Sequence, residues 1–437
     1  MELMGCKLWR KNMTEPIKAV LMGAGGRGFF AFGGYATKNP EDLKFIAVAE
    51  PDEYRRNRFG DVHNISSENR FNTWEDLLKV PKLASVLFNA TGDDTHYLSS
   101  MSAMDKGYDV VLEKPMASTS EECSALVEKS DKLKKKLIIF HELRYTSFFQ
   151  KVYEIVNSGK LGDIITVEHR ENVVYWHYAH SFVRGTWRNT RDSAPFILAK
   201  CCHDLDLLFW IIGKKVKKLS SFGSLKHFKL DQAPNSNVPD RCTDGCPVED
   251  SCIYYAPRLY SGFAKGYQRI FELDEVTSGK SLNEILSISN YGRCVYKSDN
   301  NVVDNQTVNL EFENGVLASF ITTAHTNKGS RFVRFDGTKG TLIGEFSSFG
   351  SEIKITDHLS SEEESVNLGS TYDDKNHGGG DENMLKDIVQ NLKNDLTATQ
   401  NSVHDAFESH LMALAAEESR ENNGSMIEMD EYRARFI

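Results

Sequence analysis

A short apolar run, Ile17–Gly23 (IKAVLMG), ends in Gly23-Ala24-Gly25-Gly26-Arg27-Gly28, a G-x-G-x-x-G. An apolar run that stops at glycines suits a buried parallel strand, and a helix should open from about Gly26. Each glycine answers a different demand. Gly23 makes the tight turn, Gly25 lets a pyrophosphate approach the backbone, and Gly28 lets helix pack on strand. The helix N-terminus then faces the phosphates.

The alternation continues along the chain. Leu43–Glu50, Ser85–Ala90, Asp109–Lys114 and Leu137–Leu143 read as strands, with helices over Thr95–Lys106 and Ser120–Lys135. Thr119 is the expected N-cap of the second helix, with Glu122 three residues on. This order predicts an α/β fold, a doubly wound parallel Rossmann sheet over residues 16–145. Glu50 ends the second strand at about the twenty-residue offset where an acid binds the ribose 2′-hydroxyl. That favours NAD; Arg55 and Arg56 lie close by and leave NADP open.

After about Arg144 the pattern changes. A helix at Ser147–Ser158 precedes alternating segments at Ile164–Asn172, Thr307–Phe312, Val316–Thr323, Phe332–Gly337 and Gly340–Glu345. They predict a mostly antiparallel sheet with one covered face, interrupted by a helix at Cys202–Ile212. Residues 146–437 should form a second α/β domain that binds substrate and mediates oligomerisation. It carries a loop-rich, cysteine-containing insertion at about 234–262. A helical tail is expected over Asp381–Glu421, with a turn at Asn422–Ser425.

The formal net charge of −10 argues against a general nucleic-acid binder. The basic runs Lys132–Lys136 and Lys214–Lys218 read as solvated faces and helix ends. No stretch approaches the roughly 20 apolar residues of a membrane span. Residues 1–15 read as a disordered lead-in without a signal-peptide core, so a cytoplasmic, reducing location is expected and disulfides are not. Of eight cysteines, Cys242, Cys246 and Cys252 cluster in the sequence. Three thiolates can anchor a structural zinc if His227, Cys294 or a distant cysteine closes the tetrahedron.

Glu113-Lys114-Pro115 at a strand end, after such a Rossmann half, resembles the glucose–fructose oxidoreductase / inositol dehydrogenase / MocA-type (Gfo/Idh/MocA) oxidoreductase family. Asn89–His96 resembles the family loop usually written T-P-N-x-x-H. Cys202–Leu208 resembles its H-x-x-D helix start, His377-Gly378-Gly379-Gly380-Asp381 its substrate-facing H-x-G-G-D, and Ser402–Tyr432 its closing helix and strand. The resemblance implies a C-terminal α/β domain with a large, mostly antiparallel sheet, and often a homo-oligomer. It puts Thr91, His96 and Glu113 on the cofactor, and Lys114 beside both nicotinamide and substrate. His203 would stand at the reacting carbon. Asp206 and His377 would meet a sugar-like polyol, with Arg144 and Tyr145 lining the cleft.

Oxidising a secondary alcohol removes a hydroxyl proton as well as a hydride. A neutral histidine, His203, can take that proton near pH 7. Lys114 can stabilise the developing negative charge or relay the proton. Many members carry Asp four residues before this histidine; here Ala199 stands there with Lys200 beside it, so Lys200 is expected to share the acid–base work. The leading expectation is an NAD-dependent oxidoreductase for a sugar, sugar derivative or cyclitol. A glycosidase that recycles NAD and a non-enzymatic dinucleotide-binding sugar sensor are the alternatives.

Overall fold

The computed structural model of the protein describes residues 15–369, 376–394 and 402–436. Nearly all of the expected lead-in, with Cys6, lies outside the described residues, as does 395–401 of the expected helical tail.

The first sheet contains β1 (Ile17–Met22), β2 (Leu43–Ala49), β3 (Arg70–Phe71), β4 (Val86–Asn89), β5 (Asp109–Leu112) and β6 (Leu137–Ile139). Their order is β3-β2-β1-β4-β5-β6 and every pairing is parallel. The apolar runs fall in the middle because both faces are covered. Along β1, Val20 and Met22 enter one buried cluster while Ala19 and Leu21 enter the other. Strand order reverses between β1 and β4, so the loops after these strands open on one crevice, the usual place for a dinucleotide. The expected Rossmann sheet is therefore present.

The second sheet contains β7 (Ile164–Val174), β8 (Val216–Ser224), β9 (Asn305–Phe312), β10 (Leu317–Thr326) and β11 (Ser330–Gly337). It is completed by β12 (Gly340–Phe346), β13 (Glu352–Asp357), β14 (Glu363–Asn367) and β15 (Ile427–Glu428). Their order is β14-β13-β12-β11-β7-β10-β9-β8-β15. The β7–β10 pair is parallel and the others are antiparallel. Burial alternates residue by residue along β9 and β10, as in a sheet with one covered face. Helices Cys202–Ile212 and Val403–Glu421 share that covered core.

Several elements differ from expectation. The Lys214–Lys218 run enters β8, where Val216 and Leu219 are buried while Lys217 is exposed. The tail is two helices, Gly380–Lys393 and Val403–Glu421. The first lays Met384, Leu385, Ile388 and Val389 against the Rossmann core, so the C-terminal half also covers the N-terminal sheet. The segment between β8 and β9 is longer than 234–262 and contains short helices at Ala256–Ser261 and Leu282–Ile288. A separate apolar cluster holds it, including Cys242, Leu259, Tyr260, Phe271 and Leu286. It leans on the Rossmann domain through Arg55 Nε to the Leu273 carbonyl (2.9 Å), Arg58 to the Glu272 carbonyl, and Tyr54 with Ser278 (2.8 Å).

Candidate active site

The glycine loop sorts its residues by the space around them. Gly23 has φ +85°, and a Cβ there would fall 2.3 Å from the Ala90 oxygen. A Cβ at Gly28 would fall 2.0 Å from the Gly23 oxygen. At Gly25 and Gly26 a Cβ would meet nothing within 4 Å. Two glycines thus serve close packing and two face open space at a helix N-terminus, which is the cradle a pyrophosphate requires.

Glu50 is buried beside this loop. One carboxylate oxygen accepts from the Ala24 amide (2.7 Å) and the other from the Asp52 amide (3.1 Å). Arg56 turns to the Glu50 carbonyl and Arg55 to Leu273 and Asp274. An acid at the strand end, with both arginines engaged elsewhere, fits a free ribose 2′-hydroxyl better than a 2′-phosphate.

Arg27, inside the glycine motif, turns its guanidinium to carboxylates. Its Nε donates to Glu113 (2.7 Å), its Nη2 to Asp381 (2.7 Å), and its guanidinium lies over the Phe140 ring. Burial alone would raise the Asp381 carboxyl, yet Arg27 and His377 hold it far below the usual carboxylate range. Two carboxylates already answer this cation, which leaves phosphate to the loop amides. On the neighbouring loop, Thr91 bonds the Asn89 side chain (2.8 Å). His96 Nδ1 meets the Pro115 carbonyl (2.7 Å), and its buried Nε2 has no partner. The Lys114–Pro115 peptide is cis.

Lys114 and His203 come together from the two domains. Lys114 Nζ donates to the Ala199 carbonyl (2.8 Å), at the helix turn just before His203. Burial first, and then Lys114, push the His203 imidazole well below its ordinary range, so it is neutral at pH 7. Its Nε2 lies 3.4 Å from Glu142 Oε1, and its Nδ1 is buried without a partner. An acid thus stands beside His203 from the turn after β6, whereas position 199 carries alanine. Glu142 also lies 3.4 Å from His377 Nδ1, which places His377 at the rim of the same cleft. Lys200 pairs with Glu171 (3.3 Å), which in turn meets Arg331 (2.9 Å). His177 adjoins this group: burial, then Lys200, keep it far below the imidazole range.

Glu142, Glu171, His177 and Arg331 were not singled out in the sequence. Glu142 stands inside HELRY, where Arg144 and Tyr145 drew attention instead. Those two and Asp206 have side-chain partners within the fold. Arg144 and Asp206 form a fully buried bidentate pair at 2.7 and 2.6 Å. Tyr145 donates to Asp387 (2.9 Å). Each is engaged by these partners.

Two groups converge to metal-ligand spacing among the described residues, and neither is a convincing metal centre. In His141–Cys202–His410, both ring nitrogens of His410 are engaged, by the Ala406 carbonyl (2.6 Å) and the Met116 amide (2.8 Å). In Glu142–His377–Asp381, Arg27 already neutralises Asp381. The trio Cys242, Cys246 and Cys252 lies in the insertion.

A Rossmann crevice with a buried acid at the end of its second strand, opening on a neutral histidine and a lysine, defines a nicotinamide-dependent oxidoreductase. The chain belongs to the Gfo/Idh/MocA oxidoreductase family. Residues 17–141 match its NAD-binding Rossmann fold and residues 154–430 its C-terminal alpha/beta domain. The putative oxidoreductase YteT of Bacillus subtilis is 24% identical over 332 residues, 72% of this chain and 74% of that protein. Inositol 2-dehydrogenase of Salmonella typhimurium is 23% identical over 181 residues, 41% of this chain and 50% of that protein. Among solved structures, an Agrobacterium radiobacter oxidoreductase in complex with NAD+, L-tartaric acid and magnesium superposes with TM-score 0.68. The two are 15% identical, over 95% of this chain and 99% of the other. Scyllo-inositol dehydrogenase of Lactobacillus casei, with NAD(H) and scyllo-inositol, gives 0.65 at 15% identity, over 95% and 100%. No described helix is long and apolar enough to cross a membrane.

Proposed function

We propose that the protein oxidises, or in reverse forms, a secondary hydroxyl of a sugar, sugar derivative or cyclitol, with NAD as its cofactor. The observation that carries this is the meeting of Lys114 with a neutral His203 whose Nε2 faces Glu142. NAD, when bound, supplies the hydride acceptor. Gly25 and Gly26 leave room for its pyrophosphate, Glu50 takes the ribose, and Thr91, His96 and Glu113 line the way to Lys114. His203, neutral and held beside Glu142, takes the hydroxyl proton. The Lys114 ammonium steadies the alkoxide charge as it develops. Lys200, set by Glu171, and His377 are placed to hold neighbouring hydroxyls.

One observation favours the glycosidase route as a second reading. The segment around Leu273 rests on helix Glu53–Val62 beside Glu50, which would slow cofactor exchange and suit a recycled cofactor. The face of the second sheet turned from its helices shows Leu317, Ile321, Phe332 and Ile343, and supports self-association of the chain in a cytoplasmic setting. Any metal on Cys242, Cys246 and Cys252 is structural in this reading.

The test is a screen of polyols for NADH formation, run beside chromogenic glycosides. His203→Ala should abolish turnover while NAD binding persists. Failure of the protein to bind either nicotinamide cofactor would overturn the reading. Aglycone release without net NADH would move it to the glycosidase.

A further inference from the structure

We infer that the insertion holds a four-thiolate metal site in which Cys294 is the fourth ligand and Arg184 balances the charge. This goes beyond the catalytic reading and does not depend on it. Four of the cysteines gather here from two separate stretches, 242–252 and the neighbourhood of Cys294. Arg241 and Arg293 form an isolated antiparallel bridge, flanked by bonds from the Cys242 amide to the Gly292 carbonyl and from the Cys294 amide to the Asp240 carbonyl (both 2.8 Å). Cys242 and Cys294 therefore stand on adjoining backbones. Cys246 and Cys252 lie on one turn, where the Cys252 amide bonds the Val248 carbonyl (2.9 Å).

Arg184 is the independent observation. It is fully buried, and no carboxylate pairs with it among the described residues. Its Nε donates to the Arg293 carbonyl (2.7 Å), its Nη2 to the Tyr254 carbonyl (2.8 Å) and to Cys242 Sγ (3.6 Å), while Nη1 has no partner. A buried guanidinium without an anion carries a steep desolvation cost. Four thiolates around a divalent ion carry a net charge of about −2, which supplies that anion. No three of these sulfurs lie within 4.8 Å of one another. Metal binding therefore requires the thiol side chains to turn toward one another, from the pinned backbones of Cys242 and Cys294. A closed site of four sulfurs leaves no position for substrate, so the metal is structural and zinc is the expected ion.

Metal content of the full chain, purified under reducing conditions, is the first readout. Cobalt(II) titration of chelated protein is the second. About one ion per chain is expected, with thiolate-to-cobalt charge-transfer bands and the visible bands of tetrahedral cobalt. Cys294→Ser should lose most of that signal, and Arg184→Gln should weaken binding about 10- to 100-fold. Cys123→Ala, a buried cysteine elsewhere, should change nothing. Folded protein with free thiols and no thiolate-to-cobalt bands would overturn the inference. So would Cys294→Ser with full stoichiometry and an unchanged spectrum. NAD binding is measured on the same preparation: metal without NAD refutes only the catalytic reading, and NAD without metal refutes only this one.

Discussion

His203 Nε2 and Glu142 Oε1 stand 3.4 Å apart, although one opens a helix of the C-terminal domain and the other follows the last strand of the Rossmann sheet. In the proposed mechanism this carboxylate orients the His203 ring. Glu142→Gln should therefore lower kcat by up to about 100-fold and change KM for the polyol far less. Steady-state kinetics with NAD saturating would check this split. A variant with normal kcat would remove Glu142 from the mechanism.

Lys114→Met should leave NAD affinity close to that of the parent chain and cut kcat by about 100-fold or more. Isothermal titration beside turnover separates the two effects. An equal loss in both would make Lys114 a cofactor anchor instead.

Gly25→Ala and Gly28→Ala should fail in different ways. At position 25 the new methyl meets open space, so Tm should hold while NAD binding weakens by at least about tenfold. At position 28 it would press on the Gly23 carbonyl, so Tm should fall with a cost of roughly 1–3 kcal/mol. Thermal melts with and without NAD distinguish them.

Replacing Glu50 by Ala removes the acceptor for the Ala24 and Asp52 amides as well as the ribose ligand. NAD affinity should drop by about 10- to 100-fold. The preference for NAD over NADP should narrow. Competition titration of both cofactors provides the measurement.

Acid should destabilise the fold earlier than carboxylate titration alone would. Burial lowers His63 to about 4, and His180 and His410 to about 3. These groups stay neutral when folded but gain protons when unfolded below about pH 6.5, so the unfolded state binds more protons and stability falls as pH drops. The loss begins near pH 6.5 and continues toward the folded values, at up to about 1.4 kcal/mol per histidine per pH unit. Tm measured from pH 7.5 to 5 should fall steadily. A flat profile would show that these rings protonate in place.

The Rossmann half was readable because its signals are local: apolar runs, a glycine loop at fixed spacing, and Thr119 capping its helix as expected. Lys114 and His203 were readable through the family pattern. Glu142 was not, since its importance arises from a tertiary meeting that no spacing records. Arg144 and Asp206 looked like cleft residues because a sequence shows charge but not the partner that neutralises it. β8 was hidden by its lysines, which point outward from a strand whose other side is buried. The reach of the insertion onto helix Glu53–Val62 likewise depends on side chains far apart in the chain.

Arg27 sits in the nucleotide loop yet grips Glu113 of the Rossmann domain and Asp381 of the helix packed against it. Recombination between relatives would have to carry these three positions as a set. A chimera joining this N-terminal half to a C-terminal half that lacks an acid at the position of Asp381 would leave a partly buried cation with half its counter-charge missing. The seam between the modules is therefore a poor crossover point, despite lying where two separately recognisable domains meet.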